Sequence, residues 1–129
     1  MPPQFKLILP AGELECELTE GKTSGELLSQ MPVYSKGRVW GDEIYFKIPE
    51  SLSPVSKTKD VEVGDIAYWE EGRSLCLFFG PTPISKDGSP EPYIAVTKIG
   101  RFVADSQSMR ILRSFKEGQE IRLQRQEVG

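Results

Sequence analysis

Histidine is absent from the 129 residues, which removes Ser-His and Cys-His nucleophile pairs, histidine general bases and His-ligated metal sites from consideration. Cysteine is scarce: Cys16 and Cys76 are the two, and they match no CxxC spacing, so neither a zinc ribbon nor a thioredoxin-like redox pair can be built. Both are expected to be buried free thiols, with a disulfide between them as the alternative. Cationic surplus is lacking too. Sixteen Lys plus Arg stand against 19 Asp plus Glu, for a net charge of −3 and a pI near 5.1, which argues against nucleic acid as a partner. No apolar run approaches the roughly twenty residues that span a bilayer. The start MPPQFKLILP has one lysine and no small-residue cleavage site, and it reads as a first strand rather than a signal peptide. A soluble cytoplasmic protein that touches no membrane is expected, with no cofactor and no metal.

What is present suits one packed unit. Aromatics and scattered Val, Ile and Leu supply the bulk of a core, glycine and proline are spread along the chain as turn punctuation, and residues 1–129 read as a single domain. FKLIL (Phe5 to Leu9) alternates with Phe5, Leu7 and Leu9 on one side, and Pro10-Ala11-Gly12 turns it into ELECEL, where Leu14, Cys16 and Leu18 face one way. Thr23-Ser24-Gly25-Glu26 fits a capping box, opening a helix through Leu27, Leu28 and Met31 that Pro32 ends. After a polar stretch, WGDEIYFKIP (Trp40 to Pro49) sets Ile44, Phe46 and Ile48 on one strand face and Glu43, Tyr45 and Lys47 on the other.

A proline- and serine-rich connection runs from Pro49 to Asp60. GDIAYW (Gly64 to Trp69), the Glu70-Glu71-Gly72 turn and SLCLFFG (Ser74 to Gly80) then form a hairpin whose second strand is apolar on both faces, as a strand covered on both sides should be. Gly80 to Pro92 is a proline-rich surface loop, either kept for a use or merely joining two strands over an end. Tyr93 to Val103 resumes as a strand, Ser106 to Phe115 forms a second short helix closed near Gly118, and EIRLQ is the last strand. Seven or eight short strands with two helices predict an all-β antiparallel barrel or sandwich.

Three segments carry a family likeness: WGDEIYF (Trp40 to Phe46), VGDIAYWEEGRSLCLFFGPTP (Val63 to Pro83) and KIGRFV (Lys98 to Val103). They resemble the small prokaryotic cyclophilin-like proteins, a family of about this length and largely without an assigned activity. The likeness extends over nearly the whole chain. It implies a closed eight-stranded antiparallel barrel with two short α-helices.

The true cyclophilins, which this family resembles more distantly, are prolyl cis/trans isomerases that hold a proline in an apolar pocket on the outer wall of the barrel. A positioned arginine lowers the roughly 18 to 20 kcal/mol rotation barrier as amide resonance is lost. Alignment sets acidic Glu43, or a neighbour, where that arginine should stand, and no histidine exists to complete the pocket. Phe78-Phe79 resembles the paired phenylalanines of the pocket wall, and Arg38, Arg73 and Arg101 are the cations available to substitute from elsewhere. Other relatives of the barrel occur within allophanate hydrolases and bacterial oxoprolinases, where amide cleavage needs partner domains or subunits.

The residues themselves sort as follows. Alternation sets Tyr45 opposite the Ile44 and Phe46 face, and Trp69 ends a strand beside a turn, so these two rings either line a pocket or pack a second small cluster. Trp40, beside Gly41, lines a cleft or covers a barrel end. Phe78 and Phe79 point to opposite faces, and at most one lines an external pocket. Asp42-Glu43 and Glu70-Glu71 are neighbours on opposite strand faces and read as surface charge or turn chemistry. Asp60, Glu62 and Asp65 lack calcium-loop spacing, and Asp65 is placed to cap backbone N–H groups. Arg110, Arg113, Lys116, Arg122 and Arg125 are interleaved with Glu117, Glu120 and Glu127, a mixed solvated face.

The expected function is a non-catalytic or weakly catalytic binding module. Its outer-wall pocket draws on Trp40, Tyr45, Trp69, Phe78, Phe79, Arg38 and Arg101 beside the 80 to 92 loop, and it accepts a peptide or small molecule. An active prolyl isomerase and an accessory subunit of an amide-cleaving enzyme are the alternatives, with a protein partner or homo-oligomer among the expected associations.

Overall fold

The computed structural model describes residues 3–53 and 55–126. Eight strands and two helices follow one another as β1 (Gln4–Leu9), β2 (Gly12–Leu18), α1 (Lys22–Gln30), β3 (Val33–Val39), β4 (Glu43–Lys47), β5 (Asp65–Trp69), β6 (Ser74–Phe78), β7 (Thr97–Phe102), α2 (Ser106–Arg113) and β8 (Glu120–Arg125). The strands close into a barrel in the order β1-β2-β7-β5-β6-β4-β3-β8, every neighbouring pair antiparallel. Closure leaves no sheet edge exposed. Among the described residues no helix is long and apolar enough to cross a membrane.

Period-two alternation fills the interior. The register sets Ile44 beside Leu77 and Leu77 beside Ile66, and likewise Phe46 beside Leu75 and Leu75 beside Tyr68, so successive inward layers cross three strands. Phe5, Cys16 and Phe102 make a similar row across β1, β2 and β7. Leu27 of α1 and Ile111 and Leu112 of α2 join the same buried cluster, and each fully buried side chain of this size stabilises the fold by about 1.5–3 kcal/mol.

Three local expectations are corrected. The polar stretch before Trp40 is a full strand, β3. Thr23 and Glu26 do not cap α1: Gly21 holds the N-cap position without a side-chain bond. Instead the Thr23 hydroxyl donates to the Ser53 carbonyl, and the Glu26 carboxylate accepts from the Ser53 N–H at 2.7 Å and hydroxyl at 2.8 Å. The box residues thus tether the Pro49 to Asp60 connection to the helix. The strand expected over Tyr93 to Val103 is regular only as β7, with Val96 held in an isolated bridge to Thr58.

α2 is capped by Asp105, whose side chain accepts from the Ser108 N–H at 2.8 Å. The two cysteines are free and buried. Cys16 belongs to the interior cluster and Cys76 to a second one, so the alternative of a disulfide is set aside.

Candidate functional site: an aromatic cavity on the outer wall

β6 is buried along its whole length, and its two faces serve different cores. Leu75 and Leu77 point into the barrel, while Cys76 and Phe78 point outward and join Val61, Ala67 and Val96 in a separate cluster against which Tyr45 and Trp69 pack. Register explains the grouping. Tyr45 lies opposite Cys76, and Cys76 opposite Ala67, and paired residues share a face.

The cover of this outer wall is fastened at the β3–β4 turn. Trp40 and Glu43 exchange backbone hydrogen bonds of 2.9 and 3.1 Å around Gly41-Asp42, and Gly41 at φ +60° supplies the positive φ that a two-residue hairpin turn needs. The Phe79 N–H then donates to the Asp42 carbonyl at 3.0 Å, and the Asp42 N–H to the Pro81 carbonyl at 2.9 Å. A β-carbon on Gly80 would collide with the Asp42 side chain. Further on, the Thr82 hydroxyl donates to the Glu91 carbonyl at 2.6 Å and the Thr82 N–H to the Ser85 hydroxyl at 2.8 Å, closing the loop on itself.

Between wall and loop lies a cavity of about 390 Å³, within the roughly 300–1,000 Å³ range of small-molecule sites. Trp40, Glu43, Tyr45, Trp69 and Cys76 line it from the barrel side, and Pro83, Ile84, Pro92, Tyr93, Ile94 and Val96 from the loop side. The rings form two perpendicular pairs: Trp40 with Tyr93 at 6.3 Å and 88°, and Tyr45 with Trp69 at 6.0 Å and 81°. The Trp69 indole N–H is buried without a hydrogen-bond partner among the described residues.

Glu43 is the residue that sequence reasoning missed. Read from the sequence as surface charge or turn chemistry, it is only 6% exposed, and burial raises its carboxyl to about pKa 7 against a smaller lowering by the Cys76 thiol. The signal was present in β6: a strand apolar on both faces means its neighbour is covered too, and Glu43 pairs with Phe78. Cys76 is pushed well above the ordinary thiol value by burial and by the Glu43 charge.

Of the expected pocket residues, Trp40, Tyr45 and Trp69 are brought together. Phe78 is buried within the outer-wall cluster and Phe79 in the interior one, and neither lines the cavity. Arg38 is exposed on β3 opposite Tyr45, outside the lining. Arg73, at φ +46° in the β5–β6 turn, donates through Nε to the Ile48 carbonyl at 2.9 Å. Arg101 is held away from the cavity by Asp65 at 2.7 Å and the Val63 carbonyl at 2.9 Å. Asp65 also accepts from the Glu62 N–H at 2.7 Å and pairs with Lys98 at 3.3 Å, which commits it to a structural role.

Comparison with known proteins follows the same lines. The solution structure of the hypothetical protein AF2241 from Archaeoglobus fulgidus is similar at a TM-score of 0.81 and 33% identity, over 97% of this chain and 95% of that one. No curated protein matches the chain. The Cyclophilin-like family description matches residues 3–124, and the chain belongs to that family.

Proposed function

We propose that the protein is a binding module that holds a small molecule, or the apolar side chain of a peptide, in the outer-wall cavity without transforming it. The observation that carries this reading is the cavity itself, about 390 Å³ between two perpendicular aromatic pairs, because apolar concavities with a few polar groups are where small ligands bind. Isomerase chemistry has less support. Among the described residues no arginine lines the cavity, and the ionisable group closest to that role, Glu43, has the sign opposite to the one that polarising an amide requires. Free thiols at Cys16 and Cys76 suit the reducing cytoplasm in which we place the protein.

The test is a two-dimensional NMR titration with a panel of X-Pro peptides, with exchange spectroscopy on the peptide. The expected result is shifts confined to Trp40, Tyr45, Trp69 and the 80–92 loop, with unaltered cis/trans exchange. Tyr45→Ala and Trp69→Ala abolish those shifts while melting temperature stays within a few degrees. Accelerated exchange would instead establish catalysis, and collapse of both variants would make the two rings core.

A further inference from the structure

The chemical class of the ligand can be read from what surrounds Glu43. It is a buried carboxyl group on a wall made otherwise of rings and aliphatic carbon. The other titratable groups lining the cavity are Tyr45 on its own strand, the Cys76 thiol on β6 and Tyr93 on the loop, and none of these is a cation. Arg38 on β3 stands beside Tyr45 but is exposed and outside the lining, and Asp42, next in the chain, adds no positive charge. Among the described residues Glu43 makes no ion pair. A desolvated carboxylate without a counter-charge is a costly arrangement, and one that a bound cation relieves.

The rings point the same way. Trp40, Tyr93, Tyr45 and Trp69 line the cavity in two T-shaped pairs, and aromatic faces attract organic cations. An anionic or strongly polar ligand has no basic side chain to meet here.

We propose that the cavity takes a small alkyl- or arylammonium ion, its charged head against the Glu43 carboxylate and its carbon body between the two aromatic pairs. This rests on the reading of the cavity as a binding site and adds the charge of the occupant. Binding a cation favours ionised Glu43, so affinity is coupled to proton release from that carboxyl and weakens as the medium turns acidic, while the amine itself stays protonated throughout.

Three probes of one shape separate the outcomes: 2-phenylethylamine, the neutral 2-phenylethanol and the anionic 3-phenylpropanoate, each titrated into the intact protein and followed by tryptophan fluorescence and NMR shifts. At about pH 8 the amine is expected to bind at least about tenfold more tightly than the alcohol, with the anion weakest. The preference should shrink to within about twofold in Glu43→Gln, and amine affinity in the unaltered protein should fall about tenfold on going to about pH 5.5. The pH series uses the native chain, so it decides the matter even if the variant folds poorly. Equal affinity for amine and alcohol at about pH 8, or an amine affinity that does not fall between about pH 8 and about pH 5.5, would overturn the cation inference and leave the binding reading standing. No cavity shifts with any of the three at millimolar concentration would overturn both.

Discussion

Gly41 and Pro83 approach so closely that a β-carbon on Gly41 would lie 2.8 Å from the Pro83 Cδ and 2.9 Å from the Thr82 Cα. The β3–β4 turn and the loop that roofs the cavity are therefore one packed junction. Two sequence strings far apart in the chain, Trp-Gly-Asp-Glu and Phe-Phe-Gly-Pro-Thr-Pro, meet there. Their glycines stand where the chains need close approach, and Trp40 and Glu43 flank the turn so that both reach the cavity.

Gly41→Ala should loosen that junction. The added carbon meets backbone as well as the proline ring, and φ +60° is unfavourable for any L side chain, so a loss of about 1–3 kcal/mol in stability is expected. Ligand affinity at the cavity should fall as well. Denaturant unfolding and fluorescence titration measure the two effects, and a variant as stable and as competent as the parent would show that the roof is not anchored at this turn.

Glu43 should leave a signature in the pH dependence of stability. Its carboxyl has an ordinary value of 4.5 and rises to about 7 on folding, so between these values the native state binds more protons than the unfolded chain. Stability then falls as pH rises through that window and levels off above about pH 7, by roughly 3 kcal/mol at most. Glu43→Gln, neutral throughout, should match the parent near pH 4 and exceed it above about pH 7. Urea denaturation of both proteins across this range gives the difference curve, and parallel curves would contradict the burial of an ionisable carboxyl at this site.

Asp65 and Arg101 should separate stability from binding. Asp65 is 1% exposed and serves Arg101, Lys98 and the Glu62 N–H together. Asp65→Ala strands these partners and should cost about 2–4 kcal/mol. Arg101→Ala removes a half-exposed partner and should cost about 1 kcal/mol or less, because solvent screens such a pair. Neither should alter ligand affinity at the cavity. A binding defect in Arg101→Ala with intact stability would return that cation to the site.

How much of this was legible depended on whether local pattern and tertiary cover agreed. Alternation alone set Tyr45 on the outward face and Ile44 and Phe46 inward, and the register bears this out. β3 was hidden because its apolar alternation is interrupted: between Val33 and Val39, which join the interior cluster, the same face carries Ser35 and Gly37 opposite Ile121 and Phe46. A β-carbon at Gly37 would already touch Phe115 and Ile121 at 2.7 Å, so that space is filled from the segment after α2 and from β8 rather than by the strand. Glu43 was misjudged for a related reason. Its charge reads as solvated, and Tyr93, Ile94 and Val96, which line the same cavity from the other side, come from about fifty positions later in the chain. Thr23 and Glu26 likewise have the pattern of a cap, but Ser53 outcompetes the helix end for both side chains.

The two thiols should act as separate reporters of the two cores. Burial holds both above the ordinary cysteine range, so neither should react appreciably with iodoacetamide in the native protein at about pH 8, and each should label through an opening of its surroundings. For Cys16, inside the barrel, that opening is the global one. Cys76 needs only the cavity roof to lift, which exposes the outer wall while the barrel stays closed. Cys76 should therefore label faster than Cys16, Gly41→Ala should accelerate Cys76 without changing Cys16 beyond the global loss, and 2-phenylethylamine should slow Cys76 alone. Mass spectrometry of the labelled peptides resolves the two rates. Equal rates that follow unfolding in every case would mean that roof and barrel open as one cooperative unit, and that ligands reach the cavity through its mouth without displacing the loop.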